Sequence, residues 1–329
     1  MHRFNSWRTA TFLFLILIEA PAVAASGDEF QLIVENDVWS HTDRYYTNGI
    51  KFGVGRQLNA LREPAEGLLR RLTPEENDRV EFGLFAGQNL YTPKNIKIAA
   101  PQPFDRPWAA WLYLGGVAQV AREKSRLDTV EIDLGVVGPA AGGRWVQSGW
   151  HNLIGAPQPQ GWDNQLPNEP AFLVSYLQKR RYGSDNFDIV PHAGITVGTV
   201  MTLGRAGATL RLGQNIGGFG VDTIEPGGVI LQNTHSSEEH WKNRSEWFVF
   251  LGVDHRLVAH NIFLDGTVFH DSASVDRRTH VYDLSMGLSA RFGAVRVSVT
   301  RVRRSEEFYT PAGGGGAQFF HSINLGFEL

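Results

Sequence analysis

Three stretches of the chain gather side chains that could do chemistry. Residues 35–51 read Glu-Asn-Asp-Val-Trp-Ser-His-Thr-Asp-Arg-Tyr-Tyr-Thr-Asn-Gly-Ile-Lys and bring amide, carboxylate and hydroxyl oxygens together at Asn36, Asp37 and Thr47. Residues 141–169 carry His151, then Asp163, Gln165, Asn168 and Glu169. An imidazole is the side chain that exchanges a proton near neutral pH. Residues 88–108 add Lys94, Lys97 and Arg106, cations of the kind that bind phosphate groups. Each stretch also has a plain reading. Asn, Asp, Thr and Gly are ordinary turn residues, a histidine on a loop helix is usually structural, and the cations could neutralise a carboxylate such as Glu81 or Glu131. With no cysteine in the chain, thiolate nucleophiles, thiolate metal sites and disulfides are excluded.

The elements that must position these residues are strands. Phe319, His321, Ile323, Leu325, Phe327 and Leu329 alternate with Phe320, Ser322, Asn324, Gly326 and Glu328. The same period of two runs through Val130–Val136, Phe30–Val34, Ile50–Val54 and Val80–Ala86, with Glu, Asp, Lys and Gly on the second face. Polar residues placed so often on one face indicate a wet or tightly filled interior. Further candidates run over 107–120, 170–182, 187–200, 205–214, 245–257, 258–268, 279–292 and 294–303. The candidates come to thirteen, and a bacterial barrel with both ends in the periplasm needs an even number. One division is therefore wrong, within 187–214 or 245–268. The expected count is about twelve strands, with fourteen as the fallback.

The start of the chain supplies the address. Arg3 and Arg8 precede an apolar run from Ala10 to Ile18, and Ala22-Val23-Ala24 forms a small-x-small site. That layout predicts a signal peptide over 1–25 and a mature domain over 26–329. No later run of eighteen apolar residues follows, so a membrane span would have to be made of strands. The fold class is thus all-β: a closed antiparallel transmembrane β-barrel in the bacterial outer membrane. Tight turns fall at 182–185 and 291–294, and longer connections at 57–78, 92–106, 138–169, 215–243 and 304–317. Parity places most of these outside, with 57–78 a longer periplasmic connection, including a short helix at Ala65–Arg71. Gly313–Gly316 reads as a loop tip. A short amphipathic helix carrying Trp145, Val146, Trp150, Leu153 and Ile154 lies in the extracellular loop after the fifth strand, with His151 on it. Alternation turns Asp37 and Thr47 inward near the outer rim, and Asn36 outward unless a bulge turns it. The charge balance, 31 Lys+Arg against 34 Asp+Glu, gives no basic excess for nucleic acid. At the outer rim, cations would instead meet lipopolysaccharide phosphates.

In order, the chain shows Glu35-Asn36-Asp37, Tyr46-Thr47-Asn48-Gly49, Gln88-Asn89-Leu90-Tyr91-Thr92-Pro93 and Asp105-Arg106-Pro107. Gly138-Pro139-Ala140-Ala141-Gly142-Gly143 comes next, then His151 with Leu153-Ile154-Gly155-Ala156, and Gly161-Trp162-Asp163-Asn164-Gln165. Taken together these resemble the outer-membrane lipid A 3'-O-deacylase family over nearly the whole mature chain. The resemblance implies a twelve-stranded barrel with its site near the outer leaflet, between the wall and a loop helix. It implies hydrolysis of the ester-linked acyl chain at the 3' position of lipid A, with His151 as general base. Asn36, Asp37 and Thr47 take the other matching catalytic positions, and a divalent cation, calcium, assists. Calcium prefers oxygen ligands, and Asp37 with Asp163 is the expected set. Lys97, with Lys94 as second choice, and Arg106 and Gln165 are the expected substrate contacts.

Two departures from the family pattern stand out. An acidic residue expected six positions after the histidine is Pro157 here, so its role would pass to Asp163 or Glu169. The paired basic residues of the family do not align cleanly. Two other functions compete. A phospholipase with a serine nucleophile would depend on Ser148 or Ser40. A non-enzymatic porin would have an open lumen and no loop helix docked to its wall.

Overall fold

The structure is a computed structural model describing residues 28–40, 43–57, 79–122, 125–224, 245–311 and 316–328. The expected signal peptide, the helix at Ala65–Arg71 and residues 313–315 lie outside the described residues. Strands β1 (Asp28–Asn36), β2 (Tyr45–Gln57), β3 (Arg79–Thr92), β4 (Ala109–Arg122), β5 (Arg126–Val137) and β6 (Glu169–Arg180) form a meander of antiparallel neighbours. So do β8 (Phe187–Gly198), β9 (Met201–Gln214), β10 (Glu246–Asn261), β11 (His280–Phe292), β12 (Val295–Arg304) and β13 (Gln318–Glu328). Pairing of β1 with β13 and of β6 with β8 closes the ring at twelve strands. The remaining strand, β7 (Tyr182–Gly183), is a two-residue pairing in the turn before β8. Closure removes every sheet edge, which is what a strand-built membrane span requires.

The mistaken division in the sequence was within 245–268. Segment 245–257 and the start of 258–268 form one strand, β10, and the short helix α2 (Ile262–Asp265) follows it. The strand shifts register against β9 between Val258 and His260. A bulge there breaks the period of two and reads, in sequence, as a strand end. The turn glycines Gly183 and Gly293 take positive φ angles of 138° and 58°, in the two places where tight turns were expected.

Alternation holds along the wall. Leu84, Leu114 and Leu134 face outward with 69%, 70% and 63% of their surface exposed, as a lipid-facing band requires. Several inward charges are buried and matched. Lys51 lies 2.6 Å from Glu131, Asp188 is gripped by Arg211 and Arg181 at 2.6 Å each, and Asp283 by Arg256 at 2.7 Å and Arg304 at 2.8 Å.

The connection after β9 leaves from the end where β1 begins and β2 and β13 end. Its residues 215–224 then turn up into the lumen. Arg211 donates to the Gly217 carbonyl at 2.9 Å, and Lys179 meets Asp222 at 2.5 Å. Phe219 packs with Ala121, Leu127 and Val190. The Ile224 amide donates to Glu35 Oε1 at 2.9 Å, near the far end of β1. The barrel is occupied by its own chain, unlike the open lumen of a porin.

Candidate active site on the outer wall

The upper outer face of β3–β5 is covered rather than lipid-exposed. Outward Leu90 and Ala110 are buried with Ile96, Trp108, Ala141 and Trp162, and Val136 and Val146 pack against them. Gln88 donates to the Ala141 carbonyl at 2.6 Å. The loop after β5 thus folds down against the wall and presents helix α1 (Gly143–Ile154) there. Gly142, at φ 72°, makes the turn into the helix. A Cβ on Gly143 would stand 2.6 Å from Ala110 Cβ and from the Trp162 ring, so glycine lets the helix sit flush.

The helix falls where the sequence put it, but its buried face is the polar one. Gly143, Gln147 and His151, spaced four apart, face the protein. Trp145, Leu153 and Trp150 face out, with 81%, 65% and 42% of their surface exposed. The medium on that side explains the inversion: near a bilayer the outward face is the one that gains from being apolar and aromatic.

His151 is buried and held at both ring nitrogens. Nδ1 lies 2.6 Å from the Pro157 carbonyl oxygen, which can only accept, so Nδ1 carries a proton. Nε2 lies 3.2 Å from Asp43 Oδ2. The other Asp43 oxygen accepts from Gln147 Nε2 at 3.0 Å, and Gln147 Oε1 accepts from Trp162 Nε1 at 2.8 Å. Burial pulls the His151 pKa down, but the Asp43 hydrogen bond, the Pro157 carbonyl and the nearby Asp37 charge outweigh it, so the pKa is raised.

The Asn36–Asp37 end of β1 reaches this histidine through one short segment. Asp37 is buried and accepts the Arg44 amide at 2.8 Å, and its own amide donates to the Thr47 carbonyl at 3.4 Å. Arg44 follows Asp43, the residue on His151. Thr47 is also buried; it sits where β2 shifts register against β3 between Tyr46 and Asn48, and its hydroxyl lies 2.7 Å from that of Thr92. The bulge is therefore at Thr47, and Asn36 stays outward, its Oδ1 accepting the Val38 amide at 2.7 Å.

Other expected residues sit elsewhere. Asp163 is 81% exposed and pairs with Arg144. Glu169 is fully buried and accepts the amides of Val268 and Phe269 at 2.9 and 3.0 Å. Neither has a printed contact with His151; the Pro157 carbonyl and Asp43 do, and sequence reasoning missed Asp43 because it lies 108 positions from His151 in a run of ordinary turn residues. Arg106 is buried, bonded to Glu307 at 2.9 Å and flanked by the rings of Tyr45, Tyr91 and Phe308. Lys97 is exposed in the loop after β3, where its amide donates to Asn95. Gln165 donates to the Trp162 carbonyl at 2.9 Å. Ser148 lies on the helix between the buried stripe and the open face. Among the described residues no three of His, Asp and Glu gather to hold a metal ion. Of the two expected calcium ligands, Asp163 is drawn to Arg144 and Asp37 accepts the Arg44 amide.

A comparison with curated protein sequences returns no match. Among solved structures the chain is similar to LpxR from Salmonella typhimurium, with a TM-score of 0.71 and 21% identity, covering 92% of this chain and 100% of that one. The beta domain of the Bordetella autotransporter BrkA gives a TM-score of 0.46 at 12% identity, over 93% of this chain and 100% of that one. Residues 10–328 match the family described as outer membrane protein LpxR. With that match running almost end to end, and with a helix docked on the wall of a closed twelve-stranded barrel, the chain belongs to the LpxR family of bacterial outer-membrane proteins.

Proposed function

We propose that the protein hydrolyses the ester-linked acyl chain at the 3' position of lipid A, with His151 as the general base. The observation that carries this reading is the pinned imidazole on a helix packed against the outer wall. The Pro157 carbonyl holds the Nδ1 proton, so the neutral ring has its lone pair on Nε2. Once its lone pair turns from Asp43 to a water, Nε2 takes a proton from that water as the water oxygen attacks the ester carbonyl carbon. Asp43 then faces the imidazolium and stabilises it. The same proton passes to the departing sugar oxygen as the C–O bond breaks, leaving a fatty acid and a free hydroxyl. Asn36 ties its Oδ1 to the Val38 amide, which leaves its Nδ2 protons as donors for the oxyanion. Asp37 and Thr47 fix the segment that brings Asp43 to the ring.

Mass spectrometry of lipid A from cells with and without the protein tests the reading. Expression should remove the mass of one ester-linked hydroxyacyl chain, and His151→Ala should abolish the loss. Unchanged lipid A on expression, or full activity in His151→Ala, would overturn it.

A further inference from the structure

Next to the site, the outer wall carries two arginines that no carboxylate among the described residues neutralises. Asn36 pairs across with His321 of β13, and His321 with Arg301 of β12. Residues directly opposite in a sheet point to the same face, so Asn36, His321 and Arg301 form one outward row, about 4.8 Å per strand. Arg303, opposite Phe319, lies two residues further towards the extracellular end on that face, about 7 Å from Arg301. Both arginines are exposed. The Arg301 guanidinium sits 4.9 Å over the Phe319 ring. Trp39, in the turn that follows Asn36 and Asp37, stands edge-on to His321 at 5.8 Å. One surface therefore runs from the catalytic segment across β13 to β12.

The neighbouring inward arginine shows what is missing outside. Arg304 has Asp283 at 2.8 Å, whereas Arg301 and Arg303 make no ion pair with a carboxylate among the described residues. Below and beside them the wall is apolar, with Leu284, Met286, Val297 and Val299 exposed. An arginine facing lipid is costly at the bilayer midplane and tolerated at the interface. Two on one face also repel each other. An anion at the interface, tethered to acyl chains that cover the apolar wall beneath, satisfies both.

We propose that Arg301 and Arg303 bind a phosphate on the sugar headgroup of the substrate, anchoring it while the ester lies against Asn36 and His151. This rests on the lipid A reading above. Guanidinium groups match phosphate oxygens two at a time, and continuity with the Asn36 row selects the substrate's own phosphate over that of a bystander lipid.

The test compares the wild type with R301Q/R303Q and R301K/R303K, on lipid A with and without its phosphates, in mixed micelles. The wild type should prefer the phosphorylated lipid about tenfold or more through KM, the scale of a charge-assisted contact. R301Q/R303Q should raise KM for that lipid until the preference vanishes, and the lysine pair should restore part of it. Binding to His151→Ala, measured by calorimetry, should show the same dependence on phosphate and on the two arginines. A wild type with no preference overturns the proposal. So does an equal loss on both lipids, which marks a structural role, and so does weakened binding with KM unmoved, which marks a bystander site. Absence of deacylation from every wild-type reaction instead removes the lipid A reading itself.

Discussion

His151 sits between two acceptors, and each has a separate consequence. The Pro157 carbonyl sets the tautomer, and Asp43 raises the pKa. A general base works only when neutral, so activity should rise with pH through a midpoint above the ordinary value of about 6.5. Asp43→Asn removes the charge and leaves burial as the main influence on the ring. Burial disfavours the imidazolium, so the midpoint of kcat/KM against pH should move to lower pH. A midpoint that stays put in Asp43→Asn would separate this carboxylate from catalysis. His151→Ala should cost about 10²–10⁴-fold in rate, the usual share of a general base. Of this arrangement, sequence alone showed His151 through its polar company, and Asn36, Asp37 and Thr47 through their motif. Asp43 had no such marker. The Pro157 position looked like a loss because the acceptor there is a backbone carbonyl, a group every residue carries and no sequence displays.

At the scale of elements, the strands were the more legible part. Period-two alternation follows directly from the pleat; it breaks at Val258/His260, where a bulge hides the continuity of β10, and at Tyr46/Asn48, where a second bulge holds Thr47. Helix α1 was legible as a helix between its glycines, but not in orientation. Its apolar stripe would be the core face in water, and here it is the outer face, because the surrounding medium is lipid. The docking of this helix depends on Gly143. Gly143→Val would drive a side chain into Ala110 and Trp162, an overpacking cost of about 1–3 kcal/mol. The helix can lift from the wall at less cost than the barrel can deform. Activity should therefore fall at least tenfold, loop 155–161 should become sensitive to protease, and the heat-modified gel mobility of the barrel should stay as in the wild type. A variant with full activity would show that the helix need not sit flush.

At the scale of the whole molecule, the barrel wall carries buried ion pairs on its inner face and segment 215–224 lies inside it. Asp188 pairs with Arg211 across neighbouring strands and with Arg181 from the turn before β7. Removing one partner leaves an uncompensated charge, so Asp188→Ala should destabilise the barrel by about 3–5 kcal/mol, read as a lower urea midpoint with the slope unchanged. The inward Glu, Asp and Lys were visible in the sequence as a polar face, and either a channel or a filled core would explain them. Segment 215–224 decides for the filled core. It rises from Arg211, low on β9, to Glu35, near the top of β1, and Glu35 also accepts the Tyr46 hydroxyl at 2.8 Å. No sequence period marks such a segment, because it pairs with no strand and makes its contacts one residue at a time. In planar bilayers the intact protein should therefore show no steady conductance. Replacing residues 216–224 with a Gly-Ser linker should open an ion current. It should also lower deacylation, because Glu35, one residue before Asn36, loses the amide that holds it. Steady porin-like conductance from the intact chain would mean that the segment does not seal the barrel.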